Sequence, residues 1–320
     1  MNDRPRIDAI TLPIAAVERD TGLSKDTLRV WERRYGFPAP LRGGEGGGSG
    51  ERAYTLLEVE KLRLVKRLMD AGHRPGRIVA LPLAQLQALS EQAAQAVPPR
   101  TEAVAPALSA PDVASHLALI RSHDVVQLRA TLAHLLARLG VARFVHEVVA
   151  PLSAAVGDAW MRGRMEIFEE HLYTETVQVL LRQALACIPA TPASGAAMPR
   201  VLLTTFPGEP HGLGLLMAEA VLALEGALCV SLGVQTPLWD ITLAAAAYRA
   251  DIVVLGFTAC PQPNQVVDGL TELRSKLPPA VALWVGGSAP VLHRRRVPGV
   301  EPLSNLLQLP DALRRWREGH

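Results

Sequence analysis

The chain of 320 residues has little cysteine, modest charge and no long apolar run. Its three cysteines, Cys187, Cys229 and Cys260, are odd in number and scattered, with no C-x-x-C pair. That spacing argues against a disulfide framework or a thiolate metal site and fits a reducing cytoplasm. No apolar run is read as reaching the roughly 18–20 residues of a membrane span. The opening Met1-Asn-Asp-Arg-Pro-Arg6 leads into no apolar core with a cleavage site, so no secretory signal is expected. No internal repeat is visible. Net charge is only +2, so no global field drives the chain onto nucleic acid.

What is present is apolar and unevenly charged. Hydrophobic residues make up 49% of the chain, enough for packed cores, and the length fits two or three domains. Residues 1–80 hold 15 Lys/Arg against 11 Asp/Glu, whereas the rest holds 18 against 20. A basic head on a slightly acidic body fits a DNA-binding module joined to a ligand-binding one. We read the head as residues 1–82 and a linker over 83–110, marked by the Pro/Ala-rich stretch 94–111. An Ala/Leu-rich helical segment spans 111–190. A second Pro/Ala-rich joint follows, and an α/β segment spans 199–320.

In the head, Pro13–Gly22 reads as a short helix closing on glycine, and Ser24 as the N-cap of a second helix running to about Arg34. Ile14, Val17, Leu23, Leu28 and Val30 are placed to hold the two together. Lys25, Thr27, Arg29, Arg33 and Arg34 are offered outward, the residue types that reach phosphates and base edges from a helix in the major groove.

The middle segment reads as four helices, Val113–Ser122, Asp124–Leu139, Val141–Arg162 and Glu166–Ala186, which make a four-helix bundle. Trp160 falls in the last turn of the third, and Glu170-His171 in the next helix after a corner at Gly163. The last segment alternates apolar runs at Val201–Phe206, Leu228–Leu232, Ile252–Gly256 and Val281–Val285 with helical stretches at Gly212–Glu225, Pro237–Tyr248 and Asn264–Leu277. Such a pattern implies a doubly wound parallel sheet whose ligands bind beyond the strands' carboxyl ends. Glu209-Pro-His211-Gly-Leu-Gly214 leaves the first strand at that edge. An imidazole is a common metal donor, and Glu209, two residues earlier, is placed to accept the ring's other N–H.

Together these strings resemble the CarH/LitR family of light-responsive repressors. The head, with Thr27-Leu-Arg-Val-Trp-Glu-Arg-Arg-Tyr-Gly36 and Arg52-Ala-Tyr54, resembles the MerR-type winged helix-turn-helix. The resemblance implies a DNA-facing set of Trp31, Arg33, Arg34 and Tyr35 with wing residues Arg42, Arg52 and Tyr54. The spacing W-x9-E-H, from Trp160 to Glu170-His171, matches the family's ligand-capping element. It implies that Trp160 covers the upper face of adenosylcobalamin and that Glu170 and His171 contact the adenosyl group. E-x-H-x-x-G then implies His211 as lower cobalt ligand, with Gly214 beside the displaced nucleotide tail. Gly256 and Thr258 occupy the family's S-x-L site, and Gly286-Gly287 its later turn, where Ser288 adds a hydrogen bond. Two departures stand out: Met161 replaces the histidine that follows the Trp in well-known members, and at S-x-L Gly256 replaces the serine and Thr258 the leucine.

The expectation is therefore a cytoplasmic, non-enzymatic repressor. Adenosylcobalamin-bound protein forms an oligomer, a tetramer by family analogy, on double-stranded operator DNA, and light releases it. Two alternatives remain open on sequence. One is a light-independent regulator that reads methylcobalamin or no B12, and the other is a corrinoid methyl-transfer protein.

Overall fold

The computed structural model describes residues 11–42, 52–70, 72–95, 110–188, 198–258 and 262–319. The tip of the expected glycine-rich wing, most of both Pro/Ala-rich joints and Cys260 lie outside the described residues. The chain forms two compact units, Met1–Arg100 with Asp158–Met165, and Thr101–Gly157 with Glu166–His320.

The first unit opens with β1 (Thr11–Pro13), α1 (Ile14–Thr21), α2 (Lys25–Tyr35), β2 (Leu41–Arg42) and β3 (Arg52–Thr55). It continues through α3 (Leu56–Asp70), α4 (Pro75–Ile78) and α5 (Leu83–Gln95). The strands form an antiparallel sheet in the order β1-β3-β2. Ser24 caps α2 as its sequence position requires, its Oγ accepting from the Thr27 N–H at 3.2 Å. Thr55 and Glu58 make a reciprocal box at the start of α3: the Thr55 N–H donates to Glu58 Oε2 at 2.9 Å, and the Glu58 N–H donates to Thr55 Oγ1 at 3.3 Å. Val17, Leu28, Trp31, Tyr54, Leu62, Val65 and Leu86 share one core.

Two expectations are corrected here. The stretch 83–110 does not begin as linker, because α5 occupies Leu83–Gln95 and Leu86 is fully buried with the head's core. Its Leu83, Leu86, Leu89 and Ser90 repeat at helical spacing, a signal masked by the surrounding Ala and Gln. Val30 does not join the seam. Leu28 and Trp31 take the inward face of α2, and a residue two positions from Leu28 points to the opposite side, leaving Val30 exposed.

The second unit contains α6 (Ala110–Arg121), α7 (Val125–Arg143), a π-helical turn over Phe144–Val149, α8 (Ala150–Met161) up to Gly157, and α9 (Ile167–Ala186). Asp124 caps α7 through the Gln127 N–H at 2.9 Å. The boundary expected at Gly140 is a kink, with that residue at φ 75° and ψ 166°. By length and composition the continuous run Val125–Met161 does pass as a possible membrane span, contrary to the sequence reading. Its apolar residues Phe144, Val145, Val148, Val149 and Leu152 are buried inside the protein.

The α/β part follows as β4 (Arg200–Thr205), α10 (Leu213–Leu224), β5 (Leu228–Ser231), α11 (Leu238–Ala247), β6 (Ile252–Phe257), α12 (Pro263–Lys276) and β7 (Ala282–Gly287). It closes with α13 (Val291–Arg294), β8 (Glu301–Leu303) and α14 (Leu309–Glu318). All five strands are parallel in the order β5-β4-β6-β7-β8. The order reverses between β4 and β6, where a ligand crevice belongs in such sheets. The four sequence-read strands are all present. β8 and α14 were not anticipated, since a three-residue strand containing Pro302 carries almost no pattern. The multidomain architecture of winged helix-turn-helix, helical bundle and doubly wound sheet is as expected.

Gly287 closes β7 at φ +117°, and a Cβ there would lie 2.0 Å from the Phe257 carbonyl oxygen. Gly208, at φ +83°, would meet nothing within 4 Å. Gly287→Ala should therefore cost on the order of 4 kcal/mol or more. Gly208→Ala should cost only about 1–2 kcal/mol from its left-handed backbone. Urea denaturation of the two variants checks the contrast, and equal midpoints would refute it.

Candidate functional site

At the carboxyl edge of β4 the chain turns sharply, and Glu209 is sunk completely beneath His211. Its Oε1 accepts from His211 Nδ1 at 2.7 Å and from the His211 backbone N–H at 3.1 Å. Its Oε2 accepts from the Thr258 backbone N–H at 2.5 Å and from Thr258 Oγ1 at 2.7 Å. Burial alone pushes the Glu209 carboxyl up. The bonds from His211 and Thr258 outweigh it and hold the group below the usual glutamate range. An ionised carboxylate only accepts, so Nδ1 must carry the proton and the ring's lone pair resides on Nε2. The imidazole is about half exposed, at 53%.

The turn is anchored from below. Thr205 Oγ1 donates to the Glu209 carbonyl at 2.6 Å and accepts from the Gln235 N–H at 2.7 Å. Thr204 Oγ1 donates to the Gly233 carbonyl at 3.0 Å. These threonines end an apolar strand, and sequence reasoning took them as strand residues only. Thr258, expected at the S-x-L position, donates its hydroxyl and N–H to Glu209, and its Oγ1 lies 3.3 Å from His211 Nδ1.

The expected glycines sit on neighbouring elements. Gly256 and Gly286 are register partners near the ends of β6 and β7, followed by the pair Phe257 and Gly287. A Cβ on Gly256 would press against the Leu215 side chain at 3.1 Å. Ser288 is exposed just beyond. Gly214 differs: in the first turn of α10, a Cβ would meet no described atom within 4 Å. The chain's own packing therefore does not require glycine there. A half-exposed imidazole with its tautomer set by a buried carboxylate, beside a bare helix turn, fits the lower ligand and tail of a base-off cobalamin.

On α9, His171 Nδ1 lies 2.6 Å from Glu170 Oε2, and Thr174 Oγ1 donates to Glu170 Oε1 at 2.7 Å. The His171 ring is 70% exposed. The adjacent Glu169 is buried and completes a capping box with Glu166, while its Oε1 meets His123 Nε2 at 3.0 Å. Trp160 and Met161 belong to the first unit, at the C-terminus of α8. Trp160 is half-buried and Met161 is 39% exposed.

In the head, Asp26, Arg29, Val30 and Arg33 share the exposed face of α2, with Arg34 beside them. Lys25 and Thr27 are partly exposed; Lys25 lies 3.6 Å from Glu18, and Thr27 meets the Ser24 hydroxyl at 2.8 Å. Arg34 lies over the Tyr35 ring at 5.4 Å. Two expected DNA contacts are corrected. Trp31 is 5% exposed and Tyr54 is fully buried, so both are core residues whose rings tie the helices to the sheet. Arg52 is half-buried and paired to Glu32 at 2.9 Å. The backbone of Arg42 ends β2.

Burial and the nearby Glu219 carboxylate push the Cys229 thiol up to about 12, which suppresses the thiolate. Among the described residues, no cluster of three or more His, Cys, Asp or Glu is arranged to hold a metal.

Comparison with known proteins gives two family matches: "MerR HTH family regulatory protein" over residues 12–81 and "B12 binding domain" over residues 116–184. The chain is 31% identical over 278 residues to the HTH-type transcriptional repressor CarH of Myxococcus xanthus, covering 85% of this chain and 87% of that protein. It is 30% identical over 289 residues to the HTH-type transcriptional repressor CarA of the same organism, covering 90% of each. Among solved structures, a monomethylamine corrinoid protein of Methanosarcina barkeri is 16% identical, with a TM-score of 0.49 over 62% of this chain and 95% of that one.

Thr258→Val removes one of the donors to the Glu209 carboxylate and should cost about 1.5–3 kcal/mol near pH 7. The cost is tied to the ionised form. Because the folded-state pKa lies below the usual value of about 4.3, the stabilisation is present above that value and disappears as pH falls through the folded-state pKa. Denaturant midpoints of wild type and variant should converge as pH falls through the lowered folded-state pKa of Glu209, and a pH-independent gap would refute the assignment.

Proposed function

The chain belongs to the CarH/CarA family of B12-binding, MerR-type transcriptional repressors, and we propose that it uses adenosylcobalamin as a light-sensitive ligand to control its hold on operator DNA. The observation that carries the reading is the Glu209–His211–Thr258 arrangement at the sheet's switch point. His211 Nε2 would hold the cobalt of the corrinoid. Glu209 fixes the imidazole tautomer and, as an anion, raises the basicity of the ring. Thr258 holds Glu209 in place. Gly214, Gly256, Gly286, Gly287 and Ser288 border the nucleotide tail.

For the upper face we assign Trp160, with Glu170 and His171 toward adenosine. A flat indole suits an adenine or corrin face, and a carboxylate suits ribose hydroxyls. When bound, adenosylcobalamin supplies a cobalt–carbon bond that visible light breaks. Trp160 and Glu170 would make the contacts that distinguish the adenosyl-bearing ligand, and a ligand shifts assembly only through such differential contacts. Met161 offers a thioether where an imidazole stands in well-known relatives, so a histidine-locked product at this position is excluded. Arg29, Arg33 and Arg34, with Lys25 and Thr27, are the groups of α2 for phosphates and base edges. Several heads on one dark-state oligomer, a tetramer on this reading, would gain affinity through effective concentration. A regulator that reads methylcobalamin without light is the second reading, favoured by Met161 alone.

Size-exclusion chromatography with adenosylcobalamin, in the dark and after green light, tests the reading. The expected result is a larger dark species that shrinks on illumination as the alkylcobalamin spectrum is lost. Co-elution of cobalamin without a size change would overturn the light-gated part. No co-elution would overturn the cofactor. Gly214→Ala should leave the ligand-free protein as stable or up to about 1 kcal/mol more stable, since alanine favours the helix. The same change should weaken cobalamin binding, and unaltered binding in a titration would remove Gly214 from the tail site.

A further inference from the structure

The C-terminus of α8 is held by residues far away in sequence. Gly163 takes the left-handed conformation at φ +67°. Its N–H donates to the Trp160 carbonyl at 3.0 Å, and the Arg164 N–H donates to the Ala159 carbonyl at 2.8 Å. This is the reciprocal pair of bonds that closes a helix on glycine. The remaining carbonyl capacity at this end is met by α3 and α5. Arg67 Nη1 donates to the Trp160 carbonyl at 2.8 Å, and the Ser90 hydroxyl donates to the Met161 carbonyl. Ser90 is 5% exposed, so its hydroxyl is buried on this bond. The Arg67 guanidinium also lies over the Trp160 indole, 4.6 Å from the ring centroid. One guanidinium thus grips both the backbone and the ring of a single residue, which a planar, many-donor cation does and an ammonium does not.

Arg67 sits on α3, whose neighbouring Leu64, Val65 and Leu68 are buried in the core that also contains Leu28 and Trp31 of α2. A rigid path of packed side chains therefore runs from the Trp160 ring to the helix that carries Arg29 and Arg33. Such packed elements move as blocks rather than deforming continuously.

We propose that Arg67 is a positioning residue for Trp160, and that it makes α3 sense whatever group lies against that indole. This rests on the reading of Trp160 as the upper-face contact of cobalamin. Stacking leaves one face of the indole for the ligand and fixes the direction in which it points. Loss of the stack frees the ring and uncouples α3 from it.

The test uses the full chain and three corrinoids: adenosylcobalamin, methylcobalamin and hydroxocobalamin. Affinities are measured by spectral titration in the dark, and hydrogen exchange of the α3 amides is followed with and without adenosylcobalamin. Arg67→Ala is expected to reduce the preference for adenosyl- over methylcobalamin by about five-fold or more, an ordinary size for coupled sites. Hydroxocobalamin affinity, which depends on His211 and the tail site, should stay within about two-fold. The ligand-induced change in α3 exchange should vanish. Arg67→Lys, which keeps the charge and the length, should show the same loss of preference and guards against a simple folding defect. The double variant with Trp160→Ala should add nothing to Trp160→Ala alone.

Unchanged preference in both Arg67 variants, or an equal weakening of all three corrinoids, would overturn the proposal. If Trp160→Ala leaves the preference intact while cobalamin still binds, Trp160 is not the upper contact and the proposal falls while the cobalamin reading stands. If wild type binds no corrinoid, both fall together.

Discussion

A carboxylate buried at 0% exposure beneath an imidazole is the constraint on which the α/β unit's chemistry depends. Left alone, Glu209 would be neutral or would force the turn open, since an unpaired buried charge costs several kcal/mol. Four donors from two segments prevent both. They join the turn after β4 to the end of β6, the two strands between which the sheet order reverses. The same bonds make the ring a donor at Nδ1 and a base at Nε2. The shape of the turn and the tautomer of the imidazole are therefore fixed by one cluster, and neither is adjustable without the other. Thr205, bonded to the Glu209 carbonyl and to the Gln235 N–H, extends this cluster to the loop after β5.

The head follows a different physical plan. Its small core needs its aromatics, and Trp31 and Tyr54 are drawn inside because two short helices and a three-stranded sheet have few other large apolar groups to bury. The polar reach of α2 is left to Arg29, Arg33 and Arg34. Arg63 ties α1 to α3 through two bonds to Asp20, at 3.0 and 2.8 Å, so α3 is fixed on more than one side. A helix held in this way transmits a shift rather than absorbing it.

Much of this was legible in the chain. The N-cap at Ser24, the boundary at Gly140, the four main strands and the Glu209–His211 pair follow from periodicity, capping chemistry and short spacing. What escaped was non-local or weakly patterned. Thr258 meets Glu209 across 49 positions, and nothing local marks a threonine as the partner of a carboxylate. α5 hides in an Ala/Gln-rich run that also leads into proline. The burial of Tyr54 depends on tertiary packing that a motif match does not weigh. Arg67 and Trp160 are 93 positions apart, and their meeting is invisible to any window.

Met161 brings these strands of argument together. Its backbone carbonyl is committed to the buried Ser90 hydroxyl, so the residue's main chain is fixed whatever its side chain does. A histidine here would place a strong cobalt donor next to Trp160. A thioether is softer and binds cobalt(III) less well. On the proposed reading, imidazole capture from this position is not open to this chain, and the signal is carried by the contacts of Trp160 and Glu170. The weight of the response then rests on whatever holds Trp160 in place, and the residues that do so are on α3 and α5 of the DNA-reading head.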